Sequence, residues 1–453
     1  MWGPEPIDMD VASFDVTGRM TKYLIINAFS ARNAGDAAIV LATAALLREN
    51  GDAMVRSATR YFEQDREYYA PYGIEVVPPL VPFPPRPAEG LGPQRFLALL
   101  AGTLAALVIV CLSRFTHAGA RRIAQFLGLE GLLELLSADR VILCGGGYLF
   151  SARRALNLTL VHTAVSTKLA ELAGKAPLMM PQSVGPLHRR LDRVLVSWAF
   201  CKVRPFVVRD EFAREEARDV MSRTAGDIEV CPDIAFAGWP SSRYIEPAKT
   251  GKPSVRRIGI VPMDWTWART VDRERALDAY IAKLAAVVRN LSHQGFELQL
   301  YGHSRIAEMD QDDFAVAQRI AETAGADANV HLDLAGGGDV TELREHFRSV
   351  SVVVGTRLHS CIIAMLMGTP AIGLAYQPKS LGTFRLLGLE DYCLDVESFE
   401  ADRVAQLAAG LAGQRAGRRD DVLIERVAEA HKRIQAVYTP HLTSGVTTAV
   451  SGA

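Results

Sequence analysis

The stretch VSVVVGTRLHSCIIAMLMGTPAIGLAYQPKSLGTFRLLGLEDY, residues 350–392, decides the fold. Val350 to Val354 form an apolar run interrupted only by Ser351, the pattern of a strand covered on both faces. Gly355 and Thr356 end it, and Arg357, Leu358 and His359 stand where strand turns into helix. Ser360 to Met367 continue as an apolar helix, which Gly368 and Pro370 stop. Ala371 to Leu374 read as a second buried strand, with Tyr376 to Lys379 leaving its C-terminal end. Such a strand–helix–strand unit belongs to an open α/β sheet. Ligands collect at the strand ends of these sheets, because free backbone N–H groups and the helix dipole point there.

Arg357 and His359, with Lys379 after the next strand, can hold an anion and move a proton. Arginine presents a planar fork to phosphate or carboxylate, and histidine exchanges a proton near neutral pH. The plainer alternative pairs Arg357 with an acidic neighbour and leaves His359 to cap the helix or fill a pocket.

The same alternation runs through the rest of the chain. Tyr23 to Asn27 is a first buried strand, followed by a small polar loop and a helix opened at Gly35-Asp36. Asn33 caps that helix, or with Asp36 faces a ligand. Asp139 to Cys144 is another strand, running into Gly145-Gly146-Gly147. Three glycines there admit a close approach to the backbone or let a helix pack tightly, and the spacing is not that of a dinucleotide fingerprint. Pro177 to Pro181 is a strand with Gln182 to Pro186 as its exit loop, and Phe206 to Val208 is a strand ending at Arg209. Arg209 either pairs with Asp210 or Glu211 or stands as an exposed cation. Ile228 to Cys231 ends at Pro232-Asp233. After a second set of strands and helices, Gly302-His303-Ser304 forms the exit loop of the strand Phe296 to Tyr301.

These signals predict two Rossmann-like α/β domains facing each other across a cleft. The expected boundaries are a loose extension at 1–20, an N-terminal domain at 21–237, a Pro- and Ser-rich linker at 238–254, a C-terminal domain at 255–441 and a loose tail at 442–453. An insertion at 78–122 interrupts the first domain. Within it, Phe96 to Leu112 carries no charge and is flanked by Arg95, Arg114, Arg121 and Arg122. A single membrane crossing would separate residues 22–80 from 138–200, which read as halves of one sheet. A buried helix, an interfacial helix and a re-entrant segment remain.

Composition narrows the classes. Among 453 residues, 50 basic side chains face 51 acidic ones, so no nucleic-acid-binding excess exists. Six cysteines without CxxC spacing read as reduced thiols in a cytoplasmic protein, and no cluster has metal-ligand spacing.

The motifs NAGDAAI (33–39), CGGGYLF (144–150), PQSVGPL (181–187), VVRDEFA (207–213), CPDIAFA (231–237), GTRLHS (355–360) and YQPKS (376–380) together resemble the polysaccharide pyruvyl transferases over about residues 22–400. The resemblance implies a GT-B-like fold and transfer of a pyruvyl group from phosphoenolpyruvate to two hydroxyls of a sugar, giving a cyclic ketal and phosphate. It implies no cofactor beyond this donor substrate. Arg357 and His359 would bind the donor, Arg209 would add a second cation and Lys379 a third. Asn33, Asp36, Gly146, Gly147, Gln182 and Ser360 fall in the same motifs as substrate-binding positions. A charged His359 is the acid for the enol carbon, while Asp233 or Asp36 is a candidate to take the hydroxyl proton. Arg209 and Arg357, from opposite domains, would clamp phosphate and carboxylate.

The long insertion points to an acceptor presented at a membrane, such as a lipid-linked saccharide, at the inner face of the plasma membrane. Two other readings compete. A GT-B glycosyltransferase would be protected from unfolding by UDP or GDP and not by phosphoenolpyruvate. A non-enzymatic partner protein would tolerate loss of Arg357 and His359.

Overall fold

The computed structural model describes residues 20–81, 93–151, 157–221, 228–238, 256–266, 272–306, 311–333, 339–414 and 420–443. All but residue 20 of the expected N-terminal extension, all but residue 238 of the expected linker, and the tail beyond Thr443 lie outside them. The described residues form two units: those within 1–31, 39–234 and 434–453, and those within 32–38 and 235–433.

The first unit is built on five parallel strands: β1 (Thr21–Ala28), β2 (Ala53–Thr59), β3 (Ile74–Val77), β4 (Arg140–Leu143) and β6 (Leu178–Met179), in the order β3-β2-β1-β4-β6. β1 and β4 pair directly, Tyr23 against Arg140 through Ile26 against Leu143. A strand that precedes the apolar insertion and one that follows it are therefore neighbours in one sheet. A second sheet runs β5 (Gly146–Leu149), β7 (Gln182–Val184), β8 (Phe206–Val208) and β9 (Ile228–Val230). This corrects one expectation, since Gln182 to Val184 is a paired strand and not an exit loop, and it shows that Gly146 and Gly147 begin a strand of their own. Gly146 lies opposite Gln182. Gly146 takes φ +135°, where a Cβ would also strike the Tyr148 ring, so glycine is what lets the strand start there.

The second unit holds six parallel strands in the order β14-β11-β10-β15-β16-β17. They are β10 (Arg257–Val261), β11 (Glu297–Tyr301), β14 (Val330–Asp333), β15 (Val352–Gly355), β16 (Ala371–Ala375) and β17 (Cys393–Asp395). Between them β12 (Arg305–Ile306) and β13 (Gln311–Asp312) make a small antiparallel pair. In chain order the large sheet reads 3-2-1-4-5-6, the doubly wound arrangement whose winding reverses between β10 and β15. Val352, Val353, Val354, Ile258 and Ile260 are all buried, as strands covered on both faces must be.

Helices do not respect the expected boundaries. The last turns of the terminal helix (Asp421–Thr443) pack on the first unit, where Tyr438 Oη donates to the Met179 carbonyl at 2.7 Å and Arg140 Nη1 donates to the His441 carbonyl at 2.6 Å. Residues 32–38, at the start of helix α1 (Ala34–Glu49), belong to the second unit instead.

The insertion resolves into a helix over Pro93–Ser113 and another over His117–Phe126. The first has one buried face, with Ala106, Ile109 and Val110 in the core of the first unit, and one exposed face, with Leu104 54% and Val108 65% accessible. Among the described residues no helix is long and apolar enough to cross a membrane. Ile109→Ala should therefore cost about 2–5 kcal/mol, as large-to-small core changes do. Leu104→Ala should stay within about 0.5 kcal/mol. Urea midpoints of the two variants check this; similar losses would mean that both faces are covered.

Candidate active site

The reversal point of the six-stranded sheet carries the first centre. β15 is locked to its neighbour by the Thr356 N–H donating to the Val261 carbonyl at 3.0 Å. Tyr280, buried in the helix Arg273–His293, meets Thr356 Oγ1 through its hydroxyl at 2.6 Å and accepts from the Met263 N–H at 3.3 Å. Burial pushes the Tyr280 hydroxyl well above the ordinary tyrosine range, so it stays a neutral prop under the turn.

Arg357 follows at the N-cap of the helix Leu358–Leu366. Its Nε and Nη2 donate to Asp313 Oδ2 and Oδ1, both at 2.9 Å, a parallel fork. The acidic partner is thus no neighbour in the chain but lies 44 positions away, at the start of the helix Asp313–Ala324. Burial works against the guanidinium charge, but the charge and hydrogen bonds of Asp313 outweigh it and hold Arg357 above its ordinary value. Burial raises the Asp313 carboxyl and Arg357 draws it back down; two fork bonds favour the ionised pair, the state we assign. Asp36 and Tyr376 also act electrostatically on Arg357. The residue keeps 9% exposure, and Nη1 is the nitrogen that Asp313 does not engage.

His359 is half-buried in the first turn of that helix, and its ring lies against the backbone of Gly35. A Cβ at Gly35 would occupy the ring's place, so the glycine of NAGDAAI is there for the imidazole. Asn33 accepts the Gly35 N–H at 2.9 Å, and it forms an antiparallel bridge with Ser304. Asn33, Gly35, Asp36, Arg357 and His359 therefore share one site in the second unit. Ser360 donates from Oγ to the Arg357 carbonyl at 2.6 Å and is fully buried, so it shapes the turn from within. Lys379 reaches over the Tyr376 ring, 5.3 Å from its centroid.

The first unit carries a second cationic centre. Arg209 is 1% exposed; its Nη1 donates to Asp233 Oδ2 at 2.6 Å and its Nε to Ser183 Oγ at 2.5 Å. Its Nη2, also buried, has no hydrogen-bond partner among the described residues. Neither expected neighbour pairs with it: Asp210 accepts the Ala213 N–H at the helix start, and Glu211 pairs with Arg214. Asp233 is the Arg209 counter-ion rather than a lone carboxylate. Gln182 sits beside this pair on β7, donating from Nε2 to the Cys144 carbonyl, and its carbonyl accepts the Arg209 N–H at 3.1 Å. Gly147 lies in β5 next to Gly146.

Sequence reasoning missed Asp313, Ser183, Tyr280 and the depth of His303. Asp313 was visible only as one of two aspartates before a helix, and no spacing rule joins it to Arg357.

Comparison with known proteins agrees with these motifs. Residues 33–378 match the family model described as polysaccharide pyruvyl transferase. The chain is 25% identical over 274 residues to the amylovoran biosynthesis protein AmsJ of Erwinia amylovora, a match spanning 58% of this chain and 63% of that protein. Two solved structures are similar: a UDP-GlcNAc 2-epimerase of Neisseria meningitidis (TM-score 0.53, 11% identity, 92% of this chain and 99% of that one), and a glycosyltransferase of Rickettsia africae (TM-score 0.52, 12% identity, 94% and 96%). At these identities the likeness is one of fold, and the fold is the Rossmann-like α/β type of GT-B proteins.

Asp313→Asn should cost about 3–5 kcal/mol, because it strands a buried guanidinium. Pairing it with Arg357→Met should recover most of that loss. A double-mutant cycle in urea checks the coupling; additive losses would mean that the fork carries no interaction energy.

Proposed function

The chain belongs to the polysaccharide pyruvyl transferase family, and from that premise we propose that it moves a pyruvyl group from phosphoenolpyruvate onto two hydroxyls of a saccharide destined for a cell-surface polysaccharide. The observation that carries this reading is the buried Arg357–Asp313 fork with His359 beside it at the sheet's reversal point. A rigid cation next to an imidazole suits a small dianion that must be protonated on carbon.

In this mechanism a protonated His359 gives its proton to C3 of the enol phosphate. C2 becomes electrophilic, and the first saccharide hydroxyl adds there while a base removes its proton. The second hydroxyl then attacks C2, the C2–O bond to phosphate breaks, and phosphate leaves with the bonding pair. Of the two hydroxyl protons released, one restores His359 and the other leaves with phosphate. Arg357 holds one anionic group of the donor. Lys379 is a second cation of this unit, and Arg209, held by Asp233 and Ser183 with Nη2 uncommitted, is the cation the first unit offers.

Arg357→Lys keeps the charge but loses the fork. It should weaken phosphoenolpyruvate binding about 10- to 100-fold, read by calorimetry. His359→Ala should retain binding and lower phosphate release about 10²- to 10⁴-fold. Protection by UDP with no heat from phosphoenolpyruvate would overturn the reading in favour of a nucleotide-sugar enzyme.

The acceptor, in this reading, is presented at an anionic bilayer on the inner face of the plasma membrane. Leu104, Val108, Phe115 and Phe126 are exposed on the insertion helices, Phe126 at 88%, alongside exposed Arg114, Arg121 and Arg122. Between Glu89 and Glu130 there is no acidic residue. Exposed apolar side chains on helices that carry arginines and no acid are complementary to anionic headgroups. The protein should float with phosphatidylglycerol vesicles and not with phosphatidylcholine vesicles, and Val108→Asp with Phe126→Asp should abolish flotation. Concentration-dependent dimerisation, lost in the same variant with no flotation by either protein, would assign this face to a second copy instead.

A further inference from the structure

The carboxylates nearest the two cations are committed. Asp313 is held by Arg357 and Asp233 by Arg209, so neither can take a proton without breaking a buried ion pair. The transfer nevertheless needs an acceptor for the saccharide proton. His303, at the exit of β11 beside the reversal point, has the properties of one.

His303 is fully buried, and among the described residues neither of its ring nitrogens has a hydrogen-bond partner. Buried polar atoms are almost always satisfied, and an imidazole with both nitrogens idle in the core calls for an explanation. The main chain around it is pinned to each element of the site. Its carbonyl accepts the Ala34 N–H at 3.1 Å, from the first turn that carries Gly35 and Asp36. Ser304 bridges to Asn33, and the Ser304 carbonyl accepts the Asp313 N–H at 3.1 Å. His303 and Ser304 together thus connect the Asn33–Asp36 turn to the Asp313–Arg357 fork. The charges that act on it are those of Arg357 and His359.

We propose that His303 is the proton acceptor of the reaction, a neutral imidazole working opposite a protonated His359. The proposal rests on the pyruvyl-transfer reading and gives His303 the base role that the sequence offered to Asp233 or Asp36. As the first hydroxyl oxygen bonds to C2, its proton passes to a ring nitrogen of His303 while His359 delivers its own to C3. His303 then returns its proton to the departing phosphate, and the second hydroxyl's proton recharges His359. Two imidazoles can divide the roles because their surroundings differ. Burial first, then the positive charges of Arg357 and His359, push His303 well below the ordinary histidine value.

The test uses the full-length protein with phosphoenolpyruvate and a saccharide acceptor. His303→Asn keeps a polar side chain that cannot take the proton. It should bind phosphoenolpyruvate as the wild type does, lower kcat about 10²- to 10⁴-fold, and lose the acid limb of the pH–rate profile while keeping the alkaline one. A variant with wild-type turnover, or with its acid limb intact, overturns the proposal. Should His303→Asn fail to fold, histidine ring NMR on the wild type decides. A ring that stays neutral well below pH ~6.5, the ordinary value, must persist in both His359→Ala and His162→Gln, which assigns it to neither of those residues. A His303 ring that titrates at or above that value overturns the assignment. Absence of phosphate release by the wild type would instead count against the pyruvyl-transfer reading, so the two failures are distinguishable.

Discussion

The structure of the second unit depends on the buried contact between Arg357 and Asp313. A guanidinium in the interior is tolerable only when its charge is matched and its nitrogens are bonded, and the fork does both. Satisfying it requires the start of the helix Asp313–Ala324 to lie at the end of β15, which sets the chain path around the site. Tyr280 supports the same turn through Thr356, and Ser360 closes it from inside. The helix that begins at Leu358 therefore starts from a fixed platform, and His359 inherits its orientation from that platform.

The first unit repeats the solution with different parts. Arg209 is buried more completely than Arg357 and is held by Asp233 and Ser183. In both centres a carboxylate neutralises the arginine without using every nitrogen. Under the proposed reaction this suits cations that meet an anionic donor: the counter-ion offsets the cost of burial in the free protein and fixes the geometry. It also explains why these carboxylates are poor choices for a base and why an imidazole is the better one.

The insertion helices serve another purpose. Their buried faces complete the core of the first unit, and their outward faces carry large apolar side chains and arginines without any acid. Phe126, exposed and near Arg121 and Arg122 in the chain, is a side chain on which the proposed bilayer contact can be tested.

Fold class was legible because it is periodic. Apolar runs of strand length, helices between them and glycine stops repeat often enough to specify parallel sheets, and Arg357 and His359 were visible as polar residues at a strand end. The same local reading mistook β5 and β7 for loops, because a strand of three or four residues rich in glycine or polar side chains carries no periodic signal. It also placed the terminal helix wholly in the second domain, since amphipathicity does not say against what a helix packs. Asp313 as the partner of Arg357, Asp233 as that of Arg209, and His303 as a buried imidazole depend on segments tens of residues apart. Charge neutralisation in a low-dielectric interior is a property of the folded space around a residue. The chain alone determined which chemistries were present; only tertiary packing decided which charges were matched and which groups remained for a substrate.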